Sequence, residues 1–323
     1  MGDTNVGFAR LLLFRRTNHI LYMERFFCFL AIVLSWTLPT SAQTRLRFLD
    51  RESGAPVSYV HVLFDSENGK YADEEGCLTV PEGVDAFETH HISYESQSIE
   101  VRALRDSTVL LVPLVQALAP AIVFPNSYHK RTIGYAGSKR MTFQGGRNGF
   151  AIAEFFKPSS DGNATPLISK VLLNLFAVNL KKTGTTSIGE QVYDDAVTHV
   201  AKLRVDIREA DPVTGGPGAS LVDGGVIYEI KDRFSLSMHK IHKIPLKNPV
   251  VFPEEGAFVV VEWIITDDVR VQDTILPYIW LTRAETPSSS WNQWPVGTAW
   301  KRNNDGRSED RTHAYCIGLE ILE

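Results

Sequence analysis

Cysteine is nearly missing from this chain: Cys28, Cys77 and Cys316 are the only three in 323 residues. That excludes a small domain stapled by disulfides, and without any Cys-x-x-Cys it excludes a cysteine-built structural zinc site. Cys77 and Cys316 are expected to be unpaired thiols acting as small hydrophobes. Also absent are Gly-x-Ser-x-Gly, His-Glu-x-x-His, a phosphate loop and a dinucleotide fingerprint. No cofactor is therefore expected. No basic run is long enough to track a phosphate backbone, and the formal charge is −5, so nucleic acid is not an expected partner. No repeat of fixed period is present.

Long apolar runs are scarce as well. Residues 26–38 form one of 13 residues, which is short for a membrane span and suited to the core of a signal peptide. Arg25 precedes it, and Thr40-Ser41-Ala42 offers small residues at the −3 and −1 positions, so cleavage before Gln43 is expected. The alternative is an uncleaved anchor. No Cys follows a small residue there, which disfavours a lipid anchor. Met23 would itself begin a well-formed signal peptide. Residues 1–42 hold four Arg and two acidic residues, so their loss takes the net charge from −5 to −7. The expected product is exported, with no transmembrane span left after cleavage, and periplasmic, outer-membrane-associated or extracellular.

What the chain does have is alternation. A length of 323 residues with 44% apolar content supports two domains with real cores. Short apolar runs recur from Leu46 to Pro113 around the turn Gly69-Lys70-Tyr71-Ala72-Asp73-Glu74-Glu75-Gly76. Val60, Val62 and Phe64 share one face at a period of two, as a half-buried strand does. Asp73 is placed to accept backbone hydrogen bonds in the turn, and Gly76 to take the left-handed conformation. Seven short strands in about 70 residues, without an amphipathic helix, predict an all-β sandwich.

The spacing Gly54-x-Pro56, Val60-x-Val62, Gly69-x-x-x-Asp73-x-x-Gly76 and Val109-x-Leu111-x-Pro113, followed by Leu118 and Ile122-Val123, resembles the carboxypeptidase regulatory-like domain. The resemblance covers about a quarter of the chain. It implies a small transthyretin-like, immunoglobulin-like β-sandwich, common at the N-terminus of secreted and outer-membrane proteins of Gram-negative bacteria. Glu95-Ser96 stands where the family's Gly-Tyr would fall. The shared motifs are turn chemistry, so no catalytic residue is carried over.

A Gly-rich stretch follows and is expected to be a linker that becomes the first edge of the second domain. From Phe150 the strand pattern resumes. Leu203-Arg204-Val205-Asp206-Ile207-Arg208 alternates apolar with charged, whereas Phe258-Val259-Val260-Val261-Glu262-Trp263-Ile264 is apolar on both faces and reads as a central strand. About eight strands predict a jelly-roll-type sandwich. The order of an Arg-bearing strand, the loop from Asp211 to Gly218 and a Val-Glu-Trp strand also looks like exported proteins in which a regulatory-like domain precedes a C-terminal β-sandwich. The expected fold class is all-β, with a small immunoglobulin-like or prealbumin-like sandwich before a larger jelly-roll-type one. The boundaries are 1–42 signal peptide, 43–124 regulatory-like domain, 125–149 linker and 150–323 second sandwich.

Glu262 interrupts an apolar strand, and a buried carboxylate is costly unless paired. One reading is a general acid or base. The other, adopted here, is a structural ion pair with Arg204 or Arg208, because no nucleophile, His or second carboxylate stands in a motif beside it. Trp280, Trp291, Trp294 and Trp300 fall close together. Indole faces stack on sugar rings, and Trp291 and Trp294, in a Ser/Asn/Gln-rich loop, are the ligand candidates. The plainer reading is a loop pinned to the sheet by its aromatics.

No metal site is expected. His90-His91 should point to opposite faces of a strand, His239-x-x-His242 has no carboxylate partner close in sequence, and Asp267-Asp268 and Asp73-Glu74-Glu75 lack the alternating oxygens of a calcium loop. The expected function is a non-enzymatic binding or scaffold module of the cell envelope, with an envelope protein or glycan as partner. A glycan-binding accessory protein of a polysaccharide uptake system is one alternative, and a hydrolase whose carboxylates meet only in three dimensions is the other.

Overall fold

The structure, a computed structural model, describes residues 44–104, 106–114, 129–145, 148–158, 165–179, 199–200, 202–229, 240–266, 274–284, 290–303 and 313–323. The expected signal peptide, residues 125–128 of the expected linker, Leu118, Ile122-Val123, His239 and Asp267-Asp268 lie outside them. The described residues are all-β, with one 3-10 turn at Val101–Ala103 and no α-helix. Among them no helix is long and apolar enough to cross a membrane.

Seven strands build the first sandwich: β1 (Arg45–Asp50), β2 (His61–Leu63), β3 (Gly69–Tyr71), β4 (Cys77–Thr79), β5 (Ala86–His91), β6 (Tyr94–Glu100) and β7 (Thr108–Leu111). One sheet runs β4-β1-β7 and the other β3-β2-β5-β6. Leu46 and Phe48 of β1, Val62 of β2, Phe87 of β5 and Val109 of β7 meet between them. The organising turn closes much as its residues predict: Asp73 Oδ1 accepts from the Cys77 amide at 2.6 Å, and Gly76 sits at φ +72°. A Cβ on Gly76 would stand 2.8 Å from both the Phe48 and Val57 carbonyl oxygens. Gly76→Ala should therefore cost about 1–3 kcal/mol in a urea titration, from left-handed strain and the clash together.

The strand expected to carry Val60, Val62 and Phe64 is shorter than that alternation, spanning His61–Leu63. Tyr59 takes the left-handed conformation at φ +56°, which few bulky residues adopt. That kink confines β2 to three residues and turns Tyr59 outward, where its role becomes plain below.

The second sandwich comprises β8 (Lys130–Gly134), β9 (Thr142–Gly145), β10 (Ala151–Phe156), β11 (Leu167–Asn179), β12 (His199–Val200), β13 (Lys202–Ala210), β14 (Pro217–Ser220), β15 (Val226–Glu229), β16 (Lys240–Val251), β17 (Ala257–Ile264), β18 (Thr274–Arg283), β19 (Ser290–Gln293), β20 (Lys301–Arg302), β21 (His313–Tyr315) and β22 (Ile317–Leu322). One sheet runs β14-β13-β17-β10-β19-β20, with β15 also on β13. The other runs β12-β18-β11-β22-β8, with β16 on β11 and with β9 and β21 on β18. Val205, Val259, Val261 and Trp263 of the first sheet pack on Val171, Leu173, Ile279 and Leu319 of the second.

The stretch expected to pass from linker to the first edge of the second domain supplies edge strand β8 on β22, and β9 on β18. The tryptophan loop contains β19, paired with β10. The segment from Lys240, which carries the second of the two spaced histidines, is the 12-residue edge strand β16, with His242, Ile244 and Leu246 inward and Lys243, Pro245 and Lys247 outward. Prolines and lysines are what an edge strand tolerates, because its outer amides need no partner and its charges discourage further pairing.

The described residues from Thr44 on form one compact unit with two large hydrophobic cores. The first sandwich rests on the outward face of the β13–β17 pair. Tyr59 and Tyr71 pack on Ile264, and Tyr71 forms a parallel bridge with Thr266.

Candidate functional site

The most concentrated set of buried ionisable groups lies where the two sandwiches meet. Alternation along β13 sends Leu203, Val205 and Ile207 into the large core and leaves Arg204, Asp206 and Arg208 on the outward face. Alternation along β17 puts Glu262 on that same face, directly opposite Arg204 in the antiparallel register. Arg204 Nη1 donates to Glu262 Oε1 at 3.2 Å and Oε2 at 3.4 Å, and both residues are buried. Tyr71, from β3 of the small sandwich, donates its hydroxyl to Glu262 Oε1 at 2.5 Å. Arg204 Nη2 donates to the Tyr59 carbonyl at 2.9 Å. The left-handed Tyr59 thus delivers its carbonyl to a buried guanidinium and its hydroxyl to the Lys202 ammonium. Strain of this kind persists only where surrounding contacts hold it.

Charge balance follows from these contacts. Burial pushes the Glu262 carboxyl upward, but the Arg204 guanidinium and the Tyr71 hydroxyl outweigh it and hold it below its ordinary value. Tyr71 is pushed well above the usual phenol range by burial and by the Glu262 charge. Asp206 goes the other way: burial raises it, against the Arg208 guanidinium and the Ser220 hydroxyl. Two carboxyls with opposed shifts on one sheet face are the pattern of an acid–base pair. Acid–base chemistry also needs access, and Asp206 is 1% and Glu262 4% exposed. Asp206 is held by Arg208 Nε at 2.7 Å and Ser220 Oγ at 2.7 Å. Both carboxylates are closed to solvent, and Glu262 is bound from both sandwiches.

Three imidazoles complete the interface. His61 of β2 is fully buried with neither ring nitrogen hydrogen-bonded. Its ring lies 4.8 Å from that of Tyr71 and 6.5 Å from that of His90. Gly69 and Gly149 close on it so tightly that a Cβ would stand 2.5 Å and 2.8 Å from Nε2. His90-His91 do not separate to opposite surfaces. A register shift between Thr89 and His91 lets both reach the large sandwich, His90 against Gly297 and His91 within the field of Arg204. Among the described residues no three His, Cys, Asp or Glu side chains are grouped to hold a metal.

Trp291 and Trp294 are not brought together. Trp291 lies half-buried on the outward face of its sheet, edge-on to Phe258 at 6.4 Å and over Gly216, with Phe155 and Trp300 against the same cluster. Trp294 packs on the large core instead. Cys316 is buried, its thiol pushed up to about 12 by desolvation, and Cys77 is half-buried; neither forms a disulfide. The sequence reading missed Tyr71 and His61, whose partners lie in the other domain. It passed over Asp206 as well, although the Arg204-Asp206-Arg208 alternation marked its face.

No protein-family model matches the chain, and no curated protein matches it either. Among solved structures it is similar to the cysteine protease and lectin-like domains of Cwp84, a surface layer associated protein of Clostridium difficile, at 10% identity and a TM-score of 0.35. The match covers 86% of this chain, which spans 62% of the other's length. At that distance the likeness says nothing of this chain's chemistry.

Proposed function

We propose that the protein is a non-enzymatic, exported module of the cell envelope that binds or scaffolds. In this reading a regulatory-like sandwich is locked onto a larger one that presents the binding surface. The observation that carries the reading is the fate of Glu262, the best acid–base candidate: its oxygens are taken by Arg204 and Tyr71, and it is closed to solvent. Docking through buried charge makes the small sandwich a rigid extension of the large one. A tethered spacer would have no need to order a buried Arg, Glu and Tyr against each other.

A second reading, a glycan-binding accessory protein, is favoured by the half-buried Trp291 beside Phe155 and Trp300 on an outward sheet face. Sugar C–H faces stack on such rings. Affinity electrophoresis of the full chain in gels containing envelope or plant polysaccharides separates the two. On the glycan reading, at least one polysaccharide retards the protein, Trp291→Ala removes the retardation, and Trp294→Ala does so only as far as it unfolds the core. Migration unchanged on every polysaccharide leaves the scaffold reading, which pull-down of an envelope protein with the wild-type chain would then support.

A further inference from the structure

We infer that the interface between the two sandwiches is an acid-sensitive latch, in which protonation of His61 releases the small sandwich from the large one while both stay folded. This goes beyond the scaffold reading and does not depend on it.

The geometry leaves a proton on His61 nowhere to be balanced. The β3 strand contributes Tyr71, whose hydroxyl is already committed to Glu262. From β5 comes His90, with the Glu88 carboxylate 3.5 Å from its Nε2. Arg204 arrives from β13 and Glu262 from β17. Asn148, Gly149, Val296 and Gly297, which lie beside the His61 ring, carry no charged side chain. The Val296 backbone lies near enough to favour the charged ring, the least of the influences acting on it. Among the described residues Glu262 is thus the one anion that acts on the ring, and Arg204 already neutralises it. An imidazolium here would add positive charge beside Arg204 with no side-chain acceptor for its N–H groups, which a buried site tolerates poorly.

Relief is simplest by separation. His61 lies against Gly149 of the large sandwich, so parting the two exposes it without disturbing either core. The contacts that would break are mostly polar: Tyr71 to Glu262, Arg204 to Tyr59, Lys202 to Tyr59 and Glu74, and Asn148 to Gly69. Interfaces of that composition are weaker than domain cores.

The sign of the effect is set by the histidines. Burial takes His61 from 6.5 down to about 4, against the pull of Glu262, and burial also lowers His90 and His91. A histidine lowered in the docked state binds its proton preferentially when undocked. Docking is therefore strongest above the free value near 6.5 and weakens as pH falls toward 4. His61 alone supplies a change on the order of 100-fold in the docking equilibrium between about pH 7 and about pH 4. Glu262, held low, adds loss of docking in the same direction.

The test is small-angle scattering paired with far-ultraviolet circular dichroism on the full chain, titrated from about pH 7 to about pH 4. The latch gives a reversible rise in radius of gyration at an unchanged β-sheet signal. His61→Gln moves the midpoint to lower pH, and His129→Gln, at an exposed site away from the interface, leaves it in place. Should His61→Gln fail to fold, the wild-type His61 ring resonance decides: its titration must coincide with the rise in radius. A constant radius down to about pH 4, a radius that rises only as the sheet signal is lost, or an equal shift from His129→Gln would each overturn the proposal.

Discussion

Replacing Glu262 by Ala is expected to lower the unfolding free energy by about 3–5 kcal/mol, read from urea titration at neutral pH. The loss comes less from the missing attraction than from what is left behind. Arg204 is 3% exposed and would keep its charge without a counter-ion, while the buried Tyr71 hydroxyl would lose its acceptor. A buried pair is worth little against a well-packed apolar replacement but costly to halve. The double replacement Arg204→Met with Glu262→Leu should therefore recover much of the loss. Recovery stays incomplete, since the Tyr59 carbonyl also accepts from Arg204 and would be orphaned. A loss below about 1 kcal/mol for Glu262→Ala would mean that the carboxylate is solvated, as a surface pair is, and the sealed interface would have to be given up.

Much of this pair was visible in the one-dimensional pattern. Glu262 stands out because it interrupts a run that is apolar at every other position, and the period of two places it with Phe258, Val260 and Ile264. Arg204 stands out because β13 alternates cleanly. What the pattern could not supply was the third partner. Tyr71 lies 191 positions away in the other sandwich, and within its own strand it reads as an ordinary aromatic of a short hairpin. The same holds for His61, whose burial is created by Gly69 on one side and Gly149 on the other.

The fold shows a similar division. β13 and β17 were legible because their burial repeats with the strand period. β16 was not, because Pro245 and Pro249 argue against a strand unless the strand is known to lie at an edge. β8 and β9 hid in a polar, Gly-rich stretch because only one face of each has anything to cover. Trp291 and Trp294 looked like neighbours, but three positions along an extended chain turn two side chains to opposite faces, and the structure sends one outward and one into the core. Asp206 was seen as part of a charged face, yet its burial became apparent only with Arg208 and Ser220 of the neighbouring strand β14 closing on its carboxylate.

Trp263→Ala is expected to have an effect as large as that of Glu262→Ala, but of a different kind. Trp263 is the residue after Glu262 and so points the other way, into the large core, where it is fully buried with its ring 5.7 Å from that of Phe150. Its Nε1 donates to the Pro277 carbonyl at 2.7 Å, which joins β17 of one sheet to β18 of the other. Truncation removes an indole from a close-packed interior and should cost about 3–5 kcal/mol. Trp263→Phe keeps most of the packing and should cost about 1–3 kcal/mol, since the Pro277 carbonyl is left without its donor. The two neighbouring substitutions also separate the two cores. Loss of Trp263 weakens the large sandwich itself, so in urea its own transition moves to lower denaturant. Loss of Glu262 weakens the bond between sandwiches, so the transitions of the two draw apart. If Trp263→Ala instead split the transitions and Glu262→Ala merely shifted a single one, the carboxylate would belong to a core and the indole to a joint, the reverse of the arrangement described here.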